Sequence, residues 1–435
     1  MPHWQPPEKV SGMACDLLID MRMKPNYTSA SVPMHDLQAN TSRTVLVSGA
    51  GVGGMALAFW LRRHGFAPTV IEQAPAFRDG GYMIDVWGVG YDLVERMGLL
   101  SAERERAYCI GRVWFVDEAG RRVAGFDGGV FRGAYGNRFF SIPRGDLAHS
   151  MHLAIERQVQ ILYSRSIRAV WQNDLGVEVE LSTGESRRFD LLVGADGMHS
   201  RVRECILGDE RQFEKYLGYY AASFVAKGYP HRDEGTYLSF SRPGRQITRY
   251  AMRDGLTAFL LVFAANKRLL HGRHDLEAQK KVLREWFGND GWECPEILKY
   301  LDVASEIYFD EVSQMHVPEW SRGRIALVGD AAYCPSLLAG AGSAFAMLGA
   351  YVLAGELKMS NGDHRVAFAA YEKQLRPFME ARQTSAANFA NYFAPKTAGG
   401  IFLRDLALNL MRIPFIGGWL INRAFANRFS LPDHQ

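Results

Sequence analysis

Hydrophobic positions along this chain gather into two kinds of run, and each run is closed by glycine, proline or charge. Thr44–Ser48, Pro68–Ile71, Phe189–Gly194 and Ile325–Val328 are short, nearly continuous apolar stretches, the pattern of strands buried on both faces of a sheet. Met55–His64 and the alanine-rich Ser343–Leu357 are apolar and long enough for buried helices, and Gly65 suits the left-handed stop of the first. Shorter patterns predict helices over Tyr91–Met97, Leu147–Glu156, Glu277–Phe287 and Pro295–Tyr300, and a hairpin joining Val113–Val116 to Arg122–Gly125. Val159–Tyr163, Ser166–Gln172 and Val177–Leu181 alternate as antiparallel strands do.

Between residues 213 and 307 the character changes. Tyr216–Lys227, Thr236–Ser241, Gln246–Met252 and Leu256–Ala264 are strand-like and rich in aromatics, with turn signals at Pro243-Gly244 and Asp254-Gly255. They predict a four-stranded antiparallel sheet with one face toward a cavity. The whole pattern is α/β: a Rossmann-like domain over 43–212 and 308–360, an inserted antiparallel-sheet substrate domain over 213–307, and C-terminal helices over 361–435. Residues 1–42 are polar and broken by Pro6, Pro7 and Pro25, and predict a disordered tail, with Met34 an alternative start.

Three glycine-and-acid clusters stand at the ends of predicted buried strands. Gly49-Ala50-Gly51-Val52-Gly53-Gly54 follows the first strand and opens the first helix, and Glu72-Gln73 ends the next strand, about 20 residues on. Glycines in such a turn permit the bend, the approach of backbone N–H groups to a pyrophosphate, and close helix–strand packing; the acid accepts hydrogen bonds from a ribose. The motif leaves FAD and NAD(P) open. Gly194-Ala195-Asp196-Gly197 and Gly329-Asp330, running on through Gly340-Ala341-Gly342-Ser343, repeat the arrangement of acid and glycine. Arg144 begins a predicted helix, where the dipole disfavours a cation unless an anion is bound.

Composition narrows the alternatives. The 435 residues carry a net charge of +3, with Lys and Arg dispersed rather than blocked into a nucleic-acid-binding patch. The five cysteines form no C-x-x-C pair, which predicts free thiols and a cytoplasmic setting. His149 and His152 share a helix face but lack further ligands nearby, so no metal site is expected. No apolar run has the length of a transmembrane helix. Leu403, Leu406 and Leu410 fall on one helix face near the C-terminus, where helices packing over the substrate domain are expected and a membrane-surface helix is the lesser reading.

The three clusters in this order, together with Tyr371-Glu372 and Arg376-Pro377, resemble the p-hydroxybenzoate hydroxylase-like single-component monooxygenases, a family that includes the tetracycline-inactivating enzymes. The resemblance covers roughly residues 43–380. It implies that Gly49, Gly51, Gly53, Gly54, Glu72 and Gln73 hold the adenosine half of FAD, and Arg144 its phosphate and ribitol region. It places Asp196 near the pyrophosphate, Asp330 at a ribityl or ribose hydroxyl, and the backbone of Gly340, Ala341, Gly342 and Ser343 at the flavin pyrimidine edge. Asp85 matches a flavin-side contact of the tetracycline-inactivating branch. The implied reaction consumes NADPH or NADH and O2 and hydroxylates an aromatic or polyketide-like substrate through a flavin C4a-hydroperoxide. No catalytic side chain is implied, since the cofactor carries the chemistry. Arg249, Tyr250, Phe259 and Leu337 are the candidate substrate contacts. Tyr333, Leu337, Ala341 and Ala344 stand where the family commonly has His, Pro, Gln and Asn; the backbone role of the loop survives these changes. A non-oxygenating FAD oxidoreductase on the same scaffold is the alternative, and a flavin-binding sequestering or regulatory protein a third reading.

Overall fold

The computed structural model describes residues 43–77, 82–130, 138–269, 275–413 and 429–434. The expected tail, the Arg78–Gly81 loop and the segment 414–428 lie outside these residues. The chain is α/β, built on two large sheets.

The first sheet has six strands in the order Ser321–Arg322, Ile325–Leu327, Leu191–Gly194, Thr44–Ser48, Ala67–Ile71 and Gln160–Leu162. All pairings are parallel except that of Ser321–Arg322 with Ile325–Leu327. The central strands are buried on both faces, which explains their unbroken apolar sequences. Gln160–Leu162 corrects an expectation: it pairs parallel with Ala67–Ile71 and leaves the small antiparallel sheet to Ile167–Asn173, Gly176–Leu181 and Ser186–Phe189. A three-residue strand at a sheet edge has too few alternating positions to declare its partner.

The helix Val52–Arg63 packs on this sheet, and Gly342–Met359 packs on that helix. The first ends as anticipated, at His64 followed by Gly65 with φ 84°. Because the four inner strands run parallel, their carboxyl ends lie along one edge. The Gly49 turn, Glu72, Asp196 and Asp330 are therefore gathered there by topology alone.

The second sheet has seven strands, in the order Tyr308–Met315, Glu214–Lys227, Leu256–Ala264, Arg245–Ala251, Thr236–Arg242, Arg112–Val116 and Arg122–Asp127. The four expected strands are its middle. Tyr308–Met315 extends it on one side, and the hairpin from residues 112–127 adds to the other, parallel to Thr236–Arg242. Such long-range pairings leave no local signal. Met83–Trp87 and Phe139–Pro143 form a two-stranded ribbon. The helix His364–Phe393 carries Pro377 inside it, and Ala398–Leu410 packs on Arg122–Asp127 through Leu408 while Leu403, Leu406 and Leu410 remain exposed. Among the described residues no helix is long and apolar enough to cross a membrane.

Candidate functional site

The first glycine turn is held in the shape its sequence requires. Gly49 has φ 105°, and a methyl group built on Gly54 would stand 1.9 Å from the Gly49 carbonyl oxygen. Glu72 closes the turn from below: its carboxylate accepts the N–H groups of Ala50 and Ala74, each at 2.9 Å. Gln73 is exposed beside it.

Arg144 reaches this turn from another element. It opens the helix Arg144–Ile155, and a methyl group on Gly51 would stand 3.4 Å from its Nη2. Among the described residues no carboxylate lies within ion-pair distance of it. The Arg144 side chain is exposed, and Tyr82 first, then Asp330, Tyr308 and Glu72, raise its pKa against the desolvating effect of the surrounding protein atoms. A cation at a helix N-terminus costs about 0.3–1 kcal/mol, and an anion placed beside it reverses that sign. Tyr82 and Tyr308, with ring centroids 5.4 Å apart, complete this end of the site. Sequence inspection missed both, because their meeting joins residues far apart in the chain.

Asp330 completes the cluster. Its Oδ1 would lie 3.7 Å from a methyl group built on Gly342, so the strand end and the start of the Gly342–Met359 helix face each other. Burial pushes its carboxyl above the usual range, while Arg144 pulls it back. The nearby Cys334 thiol also lowers it, although that thiol's own hydrogen bond goes to the Ser313 carbonyl at 3.9 Å. The Gly342–Met359 helix has no side-chain cap at Ala341 and no acid in its first turn, so the backbone N–H groups around Gly342 and Ser343 are left for another acceptor. Gly340 itself is left-handed, with φ 65°. One edge thus offers a cation, a carboxylate and uncapped N–H groups, which is suited to an extended molecule with both phosphate and hydroxyl groups.

Asp196 is different. Its carboxylate accepts from Ser200 Oγ at 2.5 Å, from the N–H groups of Arg201 and Val202 at 2.9 and 3.1 Å, and from Ser48 Oγ at 3.4 Å. It fastens the start of the helix Arg201–Leu207. The buried Arg203 then ties this helix to the neighbouring loop, donating to the carbonyls of Ala331 and Met198 and to Glu210.

Tyr333 turns inward. Its ring packs on Trp320 at 4.5 Å and its hydroxyl, 3.3 Å from that of Tyr371, occupies the space a methyl group on Gly349 would need. The change from the family's histidine is thus absorbed in the core. Leu337 instead packs with Tyr219, Leu260, Val262 and Phe393 on the sheet face that meets this loop.

The candidate substrate contacts divide between the two faces of the seven-stranded sheet. Arg249 and Phe259 are on the far face. Phe259 stacks on Phe224 and packs with the helices Leu276–Phe287 and Cys294–Val303. Arg249 gives both Nε and Nη2 to Glu293, at 2.6 and 2.8 Å, and Nη2 also to Asp233 at 2.8 Å. Their grouping with Tyr250 is therefore corrected: strand side chains alternate, and odd and even positions of Arg245–Ala251 point opposite ways. Tyr250 is on the near face, where its hydroxyl accepts the Met83 N–H at 2.8 Å. Asp85 lies beside it, accepting from Ser141 Oγ at 2.5 Å and Tyr237 OH at 3.2 Å. A surface hollow of about 600 Å³ lined by Ser321, His364, Lys373 and Arg376 shares no residue with this site.

A family model described as "FAD binding domain" matches residues 42–384. An uncharacterised protein of Mycobacterium tuberculosis (strain ATCC 25618 / H37Rv) is 38% identical over 342 residues, 78% of this chain and 92% of the relative. A "Flavin-dependent monooxygenase" of Legionella longbeachae serogroup 1 (strain NSW150) is 35% identical over 78% of this chain and 86% of its own length. The crystal structure of tetracycline destructase Tet(55) is similar with a TM-score of 0.76 and 30% identity, covering 90% of this chain and 99% of that one.

Proposed function

The chain belongs to the FAD-binding-domain family of flavin-dependent monooxygenases, and from that premise we propose that it consumes NAD(P)H and O2 to hydroxylate an aromatic or polyketide-like small molecule. The observation that carries the cofactor site is the meeting of Arg144, Asp330, the Gly51 turn and the uncapped Gly342 helix end. These residues fit FAD: Arg144 would neutralise pyrophosphate charge, Asp330 would accept from a ribityl or ribose hydroxyl, and Glu72 would keep lone pairs for the adenosine ribose. Bound FAD supplies the hydride acceptance and oxygen activation that no side chain here provides.

The protein's own part is positioning and exclusion of water. Backbone N–H groups at Gly342 and Ser343 would stabilise negative charge on a flavin bound at this helix start. The loop residue Leu337 and the near-face residues Leu260 and Val262 form an apolar surface, which would keep water from the reacting region if the cofactor sits against this loop. Likeness to the tetracycline destructase supports a polyketide-like substrate.

A screen of phenolic and polyketide compounds for ligand-stimulated NAD(P)H oxidation, with mass spectrometry of products, tests this proposal. It expects O2 uptake and a product carrying one added oxygen atom. Ligand-stimulated turnover that leaves every substrate without added oxygen would favour the non-oxygenating alternative, for which Ala341 and Ala344 speak, since neither brings a side-chain amide to the loop.

A further inference from the structure

We infer that a hollow at the opposite end of the parallel sheet from the cofactor edge is an anion site, and that it takes the phosphate group of a small molecule. This goes beyond the monooxygenase proposal and does not depend on it.

The hollow, about 600 Å³, lies between the turn at Gly323, which joins the strands Ser321–Arg322 and Ile325–Leu327, and the first turns of the helix His364–Phe393. Gly323 precedes the strand whose other end delivers Asp330, so the length of that strand separates the hollow from the cofactor seat. The helix presents two stripes to it. His364, Phe368 and Glu372 make one, and Arg365, Ala369 and Lys373 the other, each at the four-residue spacing of one helix face. Arg365 and Lys373 start about 12 Å apart along the axis, a span that their long side chains can close over the small Ala369.

His364 is what makes this a site rather than a basic surface. It is 8% exposed and lines the hollow. Its ring packs edge-on against Phe368, 5.9 Å between centroids, and among the described residues it has no hydrogen-bond partner. Buried polar groups are nearly always bonded, so the ring calls for an acceptor or donor from the hollow. The carboxylates beside it are already engaged. Asp363 caps the helix through the Arg365 N–H at 3.0 Å, and Glu372 accepts the Trp320 N–H at 3.0 Å and Arg376 at 2.5 Å.

The charge around His364 is positive. The Arg365 guanidinium and the Lys373 ammonium have no partner among the described residues. Arg324 gives its donors to the carbonyls of Asn173, Asp174 and Asp190, which leaves its charge uncompensated. Burial first, then Arg324, lowers the His364 pKa, with Arg365 and Arg43 adding to the effect and Asp363 opposing it. A bound anion would relieve that field. Three donors on separate residues suit the three terminal oxygens of a phosphate better than the two of a carboxylate, and Phe368, Ala369 and Pro377 offer an apolar floor to the group that carries it.

Isothermal titration of inorganic phosphate, phenyl phosphate and sulfate into the FAD-loaded full chain tests this, with the cofactor filling the Arg144 seat. Phenyl phosphate should bind at least about threefold more tightly than inorganic phosphate. Arg365→Gln and Lys373→Gln, both at exposed positions, should each weaken it about fivefold with the thermal midpoint unchanged. Sulfate keeps its charge between pH 6 and 8, yet wild type should bind it more tightly at pH 6, because the anion favours the protonated imidazole; His364→Gln should lose that dependence. No binding of phenyl phosphate to wild type, equal affinity for phosphate and its phenyl ester, unchanged affinity in both cation variants, or sulfate binding by wild type that ignores pH would each overturn the inference.

Discussion

Asp196 and Asp330 stand at the ends of neighbouring parallel strands, one or two residues after a glycine, and by sequence they look like the same device. Their surroundings separate them. Asp196 spends its carboxylate on two serine hydroxyls and two backbone N–H groups of the protein, while the Asp330 carboxylate accepts no comparable set of donors among the described residues, lies beside the Cys334 thiol, and faces Arg144 and the open start of a helix. An acid saturated by its own chain stabilises the fold. An acid left with free lone pairs at a strand end, beside an unpaired cation, is poised for a ligand.

That contrast can be broken experimentally, most strongly at Arg144. Arg144→Met should weaken FAD binding about 100-fold, which isothermal titration of apoprotein would read. The same change should leave apoprotein stability unchanged or raise it by about 0.3–1 kcal/mol, because a cation leaves the positive end of a helix. Asp196→Ala should do the reverse, costing about 2 kcal/mol in urea unfolding as several donors lose their acceptor, while each folded molecule still takes up flavin. For Asp330→Ala the expected loss is about tenfold in FAD affinity, with apoprotein stability within about 0.5 kcal/mol of wild type.

The smallest effect sharpens how the two loops are joined. His199 lies between Glu210 and Asp310, at 2.9 and 3.1 Å, and Glu210 also receives Arg203, which reaches the carbonyl of Ala331. Burial alone would lower the His199 pKa, but its hydrogen bonds to Asp310 and Glu210 outweigh it and raise the value to about 9. A folded-state pKa above the ordinary 6.5 means a contribution complete below about pH 6.5 and lost as pH rises through about 9. The ring is one-third exposed, so screening holds the contribution below about 1 kcal/mol. Thermal midpoints of wild type and His199→Gln should therefore differ at pH 6 and converge by pH 10. A difference that grows with pH would contradict this assignment.

The sequence made some of this legible and hid the rest for physical reasons. The Gly49 turn, its helix and Glu72 form one local unit, and local units are written in contiguous residues. Arg144 stood out because a cation at a helix start contradicts the dipole, and the fold brings it to the Gly51 turn. Tyr82 and Tyr308 were not, since only the assembled fold brings them together. Alternation along Gln246–Met252 and Leu256–Ala264 marked two faces without saying which faced the site. Aromatic richness then drew attention to Phe259, on the face sealed by helices, whereas the near face carries Tyr250, the paired hydroxyls of Ser239 and Thr248, and the apolar Leu260 and Val262. The capping role of Asp196 was hidden because glycine, acid and serine also compose ligand loops.

Fluorescence titration of FAD into apoprotein of wild type, Arg144→Met and Asp196→Ala tests the central claim most directly. The cofactor seat described here predicts that Arg144→Met weakens binding about 100-fold and that Asp196→Ala, where folded, binds within about threefold of wild type. Unchanged affinity in Arg144→Met, or the larger loss in Asp196→Ala, would place the cofactor elsewhere on the edge of the parallel sheet.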